Sequence, residues 1–208
     1  MQDIDNWQTK FAPCYYSNRL LDKLIQLNTE VIRLVDINKI TQAIYYAKKY
    51  HGKQMRKSGE PYYSHPLEVA YMISDYLFRT DIIVSSILHD VIEDTELTKA
   101  MIAKIFGHVV AMQVEDLTRV KSDRKISAIE MIQSLWYQKK YDILLIKLLD
   151  RFHNMQTLKF QSSKQVRKIV AEYFQSFITL SRYFSNKIPK MLQIEEEMYR
   201  LCYQNLSI

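Results

Sequence analysis

Four residues with the side chains of metal ligands punctuate this chain: His65 in YYSHP, the adjacent His89 and Asp90 in SSILHDVIEDT, and Asp150 in LLDRFHN. Two imidazoles and two carboxylates form a mixed nitrogen and oxygen donor set, which suits a borderline or hard divalent ion such as manganese or magnesium better than a soft one. A cation held in that way lowers the pKa of a bound water and clamps phosphoryl oxygens. A single HD dipeptide arises often by chance, but the set of four with its neighbours does not. On a helix turning about 100° per residue, His89 at zero places Glu93 at about 40°, Asp90 at about 100° and Asp94 at about 140°. Carboxylates left unpaired among Ile, Val and Leu would be costly to bury, and a cation is the natural compensation.

Further along, Asp150, Asn154 and Thr157 fall within about 60° of one another on a second helix. That face offers one anion, one amide and one hydroxyl, and the last two suit hydrogen bonding to a sugar or a base. Each element also has a plainer reading. His65 alone could open a helix, Asp150-Arg151 could be an ion pair, and Glu93 and Asp94 could be solvated acids. Acids at a helix C-terminus oppose the macrodipole, however, and such a placement hints at function. His51, His108 and His153 read as structural or surface residues. Arg151 and His153 point away from the Asp150 face and read as ties between helices.

These residues must be positioned by helices. The chain has 208 residues with only three glycines and four prolines, and apolar residues recur at three- and four-residue steps. That pattern predicts an all-α fold. Ten helices are expected, at about 18–34, 38–54, 65–77, 80–92, 95–107, 108–118, 126–139, 141–158, 164–186 and 189–205. Ser64 reads as the N-cap of the third, with Pro66 in its first turn. RKSGEPYY (56–63) reads as a loop, VKSDRK (120–125) as a polar connection and residues 1–17 as a loosely ordered arm. The expected organisation is an N-terminal extension over 1–37, a helical domain over 38–185 and a C-terminal helix over 186–208.

The net charge of +6 is spread without a basic block, so it reads as a solvated surface and not a nucleic-acid interface, with Arg56-Lys57 the local cluster of interest. Cys14 and Cys202 have no paired spacing and read as reduced thiols. The first residues form no signal peptide, and no apolar run approaches the ~20 residues that span a bilayer. The expectation is a cytoplasmic protein without a membrane partner, and the sequence leaves homo-oligomerisation open.

Three segments, HGKQMRKSGEPYYSHP (51–66), ILHDVIEDT (87–95) and IKLLDRFHNMQTL (146–158), together resemble the hydrolase domain of the RelA/SpoT family. That is the HD-superfamily helical domain which degrades guanosine tetra- and pentaphosphate alarmones. The resemblance covers roughly residues 38–185 and implies specific roles. His65, His89, Asp90 and Asp150 match the ligands of a single Mn2+, and Glu93 and Asp94 match the acidic pair that activates the attacking water. Arg56, Lys57 and Ser58 match the loop that holds the guanine nucleotide. Asn154 and Thr157 match nucleoside contacts, and Tyr173 matches an aromatic near the nucleotide in the small stand-alone members. The implied reaction removes the 3′-pyrophosphate to leave GDP or GTP. Thr118-Arg119 stands where the family usually shows Thr-Lys, which keeps the charge while changing the geometry of an implied phosphate contact. Nothing after residue 185 resembles the synthetase domain of the long bifunctional members. Two other readings use the same residues: a phosphohydrolase of another nucleotide such as NADPH, and a non-catalytic module that binds the alarmone.

Overall fold

A computed structural model describes residues 6–120 and 124–205. Among them regular structure is helical, and the expected all-α class holds. A first layer is formed by α1 (Trp7–Lys10), α2 (Tyr15–Asn28) and α3 (Ile37–His51), which pack on one another and on α4 (Ser64–Ile73) and α5 (Thr80–Ile87). The short α6 (Val91–Asp94) follows α5, and α7 (Lys99–Phe106) and α8 (His108–Leu117) form a hairpin over α5. Next come α9 (Ala128–Tyr137) and α10 (Tyr141–Gln156), the latter running through the centre with Ile143–Asp150 buried without interruption. Closing the fold are α11 (Ser163–Glu172), α12 (Ile178–Lys187) and α13 (Leu192–Gln204). One apolar cluster joins all these layers, from Trp7 and Leu20 through Ile40, Ile83 and Leu148 to Met198 and Cys202.

Several departures from the sequence expectation bear on the site. The arm read as loosely ordered contains α1, because Trp7 is buried against Tyr45 with ring centroids 6.4 Å apart. Ser64 is the first helical residue and not the cap. The turn before it satisfies the opening amides instead, with Ser64 N–H donating to the Pro61 carbonyl at 3.0 Å and His65 N–H to that of Tyr62 at 3.1 Å. The expected helix over 164–186 is interrupted by one π-helical stretch, Tyr173–Phe177.

Most consequential is the region expected as one helix over 80–92, which breaks after Ile87. Leu88 (φ −103°, ψ 6°) and Asp90 (φ −100°, ψ −9°) lie near the sparsely populated bridge between the α and β regions. No glycine or proline marks the break. Its cause is His89, whose Nδ1–H donates to the Ser86 carbonyl at 2.7 Å and so takes the acceptor that would have carried the ladder on to Asp90. The continuous helical phasing of His89, Asp90, Glu93 and Asp94 is therefore replaced by a tighter corner.

Candidate active site

Three elements meet at that corner. The turn into α4 delivers His65, the α5–α6 break delivers His89 and Asp90, and buried α10 delivers Asp150. His65 Nε2 lies 3.1 Å from Asp150 Oδ1 and 3.7 Å from Asp90 Oδ2. His89 Nε2 lies 3.2 Å from Asp90 Oδ1 and 3.8 Å from Asp150 Oδ1. Donor atoms of His65, His89 and Asp150 all fall within 4.8 Å of one another, the spacing of ligands around one ion.

The other nitrogen of each imidazole is engaged outward. His89 Nδ1 holds Ser86, and His65 Nδ1 is 2.8 Å from His153 Nδ1. Once each ring is neutral, a donating Nδ1–H leaves the Nε2 lone pair aimed into the cluster, the usual arrangement of a metal-ligating histidine. His89 Nε2 is buried with no hydrogen-bond partner, a costly condition that a cation would relieve. The residues present thus fit a divalent ion in donor type, spacing and tautomer. His153, read from the sequence as facing away, is the residue that orients His65.

Charge within the cluster is tightly balanced. Burial opposes protonation of His89, but the carboxylates of Asp90 and Asp150 outweigh it and raise the imidazole to about 10. Burial also disfavours ionised Asp90, yet charged His89 beside it holds the carboxyl below its usual range. For Asp150 burial is outweighed by Lys147, whose Nζ lies 2.7 Å from Oδ2, with the two imidazoles acting in the same direction. Burial lowers His153 to about 3, with His65 and Arg56 acting in the same direction, so its ring is the neutral partner.

Around this cluster opens a cleft of about 270 Å³, lined among others by Tyr62, Glu93, Asp94, Arg119, Asn154 and Lys168. Both oxygens of Glu93 are occupied, one by Lys125 Nζ at 2.6 Å and the other by the Arg119 backbone N–H at 3.0 Å. Asp94 Oδ2 accepts from the Tyr62 phenol at 2.7 Å. Burial raises the Asp94 carboxyl, and the charges of Asp90 and Glu93 add to this against the Tyr62 hydrogen bond. Arg56 reaches across from its turn, Nη2 donating to Asn154 Oδ1 and Thr157 Oγ1, both at 3.2 Å. Asn154 Nδ2 donates in turn to Asp150 Oδ1 at 2.7 Å, which ties this group to the candidate metal ligands.

The turn that carries Arg56 is closed by bonds from Arg56 N–H to the Glu60 carbonyl at 2.8 Å and from Gly59 N–H to the Arg56 carbonyl at 3.0 Å. Gly59 sits at φ +92°, which a residue with a Cβ rarely adopts. Lys57 is exposed, and Ser58 Oγ donates to Glu60 Oε2 at 2.9 Å, so both belong to the rim of the turn.

Of the expected substrate contacts, Arg119 and Asn154 line the cleft, Arg56, Lys57, Ser58 and Thr157 lie outside its lining, and Tyr173 is turned into the core. Tyr173 is fully buried in the π-helical stretch, packed edge-on to Phe174 at 5.3 Å, and is not among the lining residues. It continues the buried stripe of Val166, Ile169 and Val170 at helical steps of three and four, while the polar residues Gln161, Gln165, Lys168 and Glu172 line the opening. Their spacing at steps of three and four, from Gln161 through α11, is a polar stripe legible in the sequence. Lys147, three residues before Asp150, was equally legible as a neighbour on one helix face. Arg151 pairs with Glu172 at 2.5 Å and lies over the Phe177 ring at 4.6 Å, tying α10 to the segment that follows.

Comparison with known proteins places this geometry in a family. A model described as "HD domain" matches residues 43–182. The bifunctional (p)ppGpp synthase/hydrolase SpoT of Escherichia coli is 31% identical over 192 residues, covering 89% of this chain and 27% of that protein. A GTP pyrophosphokinase of Brucella ovis is 33% identical over 180 residues, 83% of this chain and 23% of the relative. A probable guanosine-3′,5′-bis(diphosphate) 3′-pyrophosphohydrolase of Mycoplasma pneumoniae is 31% identical over 145 residues, covering 64% of this chain and 20% of its own length. The chain thus spans about a quarter of the length of these curated relatives. Among solved structures, one described as a metazoan ortholog of SpoT that hydrolyzes ppGpp superposes with a TM-score of 0.55. It shares 21% identity, with 82% of this chain and 97% of that chain covered, a likeness of fold. The chain belongs to the HD-domain family.

Proposed function

We propose that this chain hydrolyses guanosine tetra- and pentaphosphate in the cytoplasm, releasing pyrophosphate and GDP or GTP, with one Mn2+ held by His65, His89, Asp90 and Asp150. The observation that carries the reading is the junction at Asn154. Its amide touches the candidate metal ligand Asp150 on one side and Arg56 on the other, so a cation site and a base-reading guanidinium are joined through one side chain. Relatives named for synthesis or hydrolysis of this nucleotide supply the substrate class.

A divalent cation supplies a lowered water pKa and neutralises charge on phosphoryl oxygens. The remaining work falls to side chains. Arg56 stacks its planar guanidinium on the base, which a lysine could not imitate. Asn154 and Thr157 exchange their bonds to Arg56 for bonds to the nucleoside. Arg119 faces the phosphates from the opposite wall. Glu93, with Asp94, takes the proton of the attacking water as its oxygen bonds to the 3′ phosphorus, and the proton passes on to O3′ as the bond from phosphorus to O3′ breaks.

The test is hydrolysis of both alarmones by the purified chain with Mn2+, with products resolved as pyrophosphate or orthophosphate. Pyrophosphate and GDP or GTP are expected. Turnover of another nucleotide such as NADPH with the alarmones untouched, or binding without turnover, would overturn the proposal.

A further inference from the structure

Residues 51–62 contribute more to the site than Arg56. The Tyr62 phenol stands between two carboxylates, 2.7 Å from Asp94 Oδ2 and 3.2 Å from Asp90 Oδ2. A phenol carries one proton, and the shorter distance assigns it to Asp94. The Tyr62 ring is itself fixed by His51, which is buried and stacks on it with centroids 4.7 Å apart and planes 30° from parallel. His51 Nδ1 is held by Gln54 Oε1 at 2.9 Å, and Gln54 Nε2 reaches on to the Asp94 carbonyl at 3.0 Å. One segment therefore grips both the side chain and the main chain of Asp94.

That grip falls where α6 is weakest. It is a four-residue helix between a break and an extended Thr95 (φ −141°, ψ 179°), too short to hold itself by its own hydrogen bonds. We propose that Tyr62 is a positioning residue: its phenol, braced by His51 and Gln54, fixes the Asp94 carboxylate of α6 relative to the cation site. The inference rests on the reading of Glu93 and Asp94 as the groups that handle the proton of water. It also assigns a purpose to HGKQ and PYY, which flank the Arg56 turn: base recognition and the placement of Asp94 lie on one rigid piece.

Tyr62→Phe removes a single oxygen and keeps the ring on His51, so the fold is retained. We would measure steady-state hydrolysis of guanosine tetraphosphate at saturating Mn2+ for the native chain, Tyr62→Phe, Asp94→Asn and the double variant. Mn2+ affinity by calorimetry and hydrogen exchange over residues 91–95 complete the set. Loss of a hydrogen bond to a charged group should lower kcat about tenfold to a hundredfold. KM and Mn2+ affinity should stay within about twofold, exchange in α6 should quicken about tenfold, and the substitution should cost nothing more in the Asp94→Asn background. Native kcat and native exchange in Tyr62→Phe would overturn the inference. So would a fall in Mn2+ affinity that matches the fall in kcat, or a full additional loss in the double variant. A native chain without turnover, together with quickened exchange in Tyr62→Phe, would overturn the functional reading and leave the clamp standing.

Discussion

At the scale of single residues, the candidate centre is a problem of buried charge. Asp90 and Asp150 can stay ionised only beside cations, and the protein supplies two of its own, protonated His89 and Lys147. A divalent ion must displace the His89 proton, so Mn2+ affinity should rise as pH rises from 6 toward 9, by about tenfold per unit for one displaced proton. Calorimetry across that range checks it, and a flat profile would show that no proton leaves. In the metal-free chain the sign is opposite. The raised pKa of His89 stabilises the fold most below its ordinary value of 6.5, and that contribution is lost as pH climbs through about 10.

Substitutions separate the roles. Asp90→Ala should abolish Mn2+ binding and turnover together, whereas Glu93→Gln should bind Mn2+ normally and lower kcat by at least about a hundredfold. Normal turnover in Glu93→Gln would exclude it as the proton acceptor. Lys147→Met leaves Asp150 buried without its ammonium, and the metal-free variant should lose about 3 kcal/mol, read by urea denaturation. Saturating Mn2+ should restore part of that loss, because the ion takes over the neutralisation. An equal loss with and without Mn2+ would place the role of Lys147 elsewhere.

At the scale of elements, the site depends on interruptions in helices. The α5–α6 break puts His89 inside and sends Asp94 toward Tyr62. The Gly59 turn does similar work for Arg56. Nothing lies within 4 Å of a Cβ built there, so Gly59→Ala meets strain only from its φ of +92°. It should cost about 1 kcal/mol of stability and raise KM for the nucleotide more than it lowers kcat. An unchanged KM would mean that the turn does not place the base-binding group.

At the scale of the whole molecule, elements from widely separated parts of the chain converge on one point. His65 and Asp150 are 85 positions apart, and Arg56 and Thr157 are 101 apart. An ion bound at their junction stabilises only the folded chain, so Mn2+ at a hundred times its Kd should add about 2.7 kcal/mol to unfolding stability. A chelator should remove that increment, as read by Tm with and without EDTA. A Tm indifferent to Mn2+ would count against a site built across the fold.

The sequence by itself determined the class of fold and the cast of the site. Helical periodicity and the scarcity of glycine and proline are local properties, so α3, α8 and α10 are legible close to their observed bounds. The types and order of His65, His89, Asp90 and Asp150 announce a divalent cation before any coordinates, because donor chemistry belongs to the side chain. Only tertiary structure decided the rest. The break at Leu88 has no glycine or proline to betray it, since it follows from a histidine hydrogen bond to Ser86. Tyr62 and His153 are ordinary residues until a neighbour distant in sequence gives the first an acceptor and the second a donor. The burial of Tyr173, by contrast, is legible, since it continues the apolar stripe of Val166, Ile169 and Val170 at helical steps. Which residues can do chemistry is a matter of composition, whereas which of them face one cleft depends on packing.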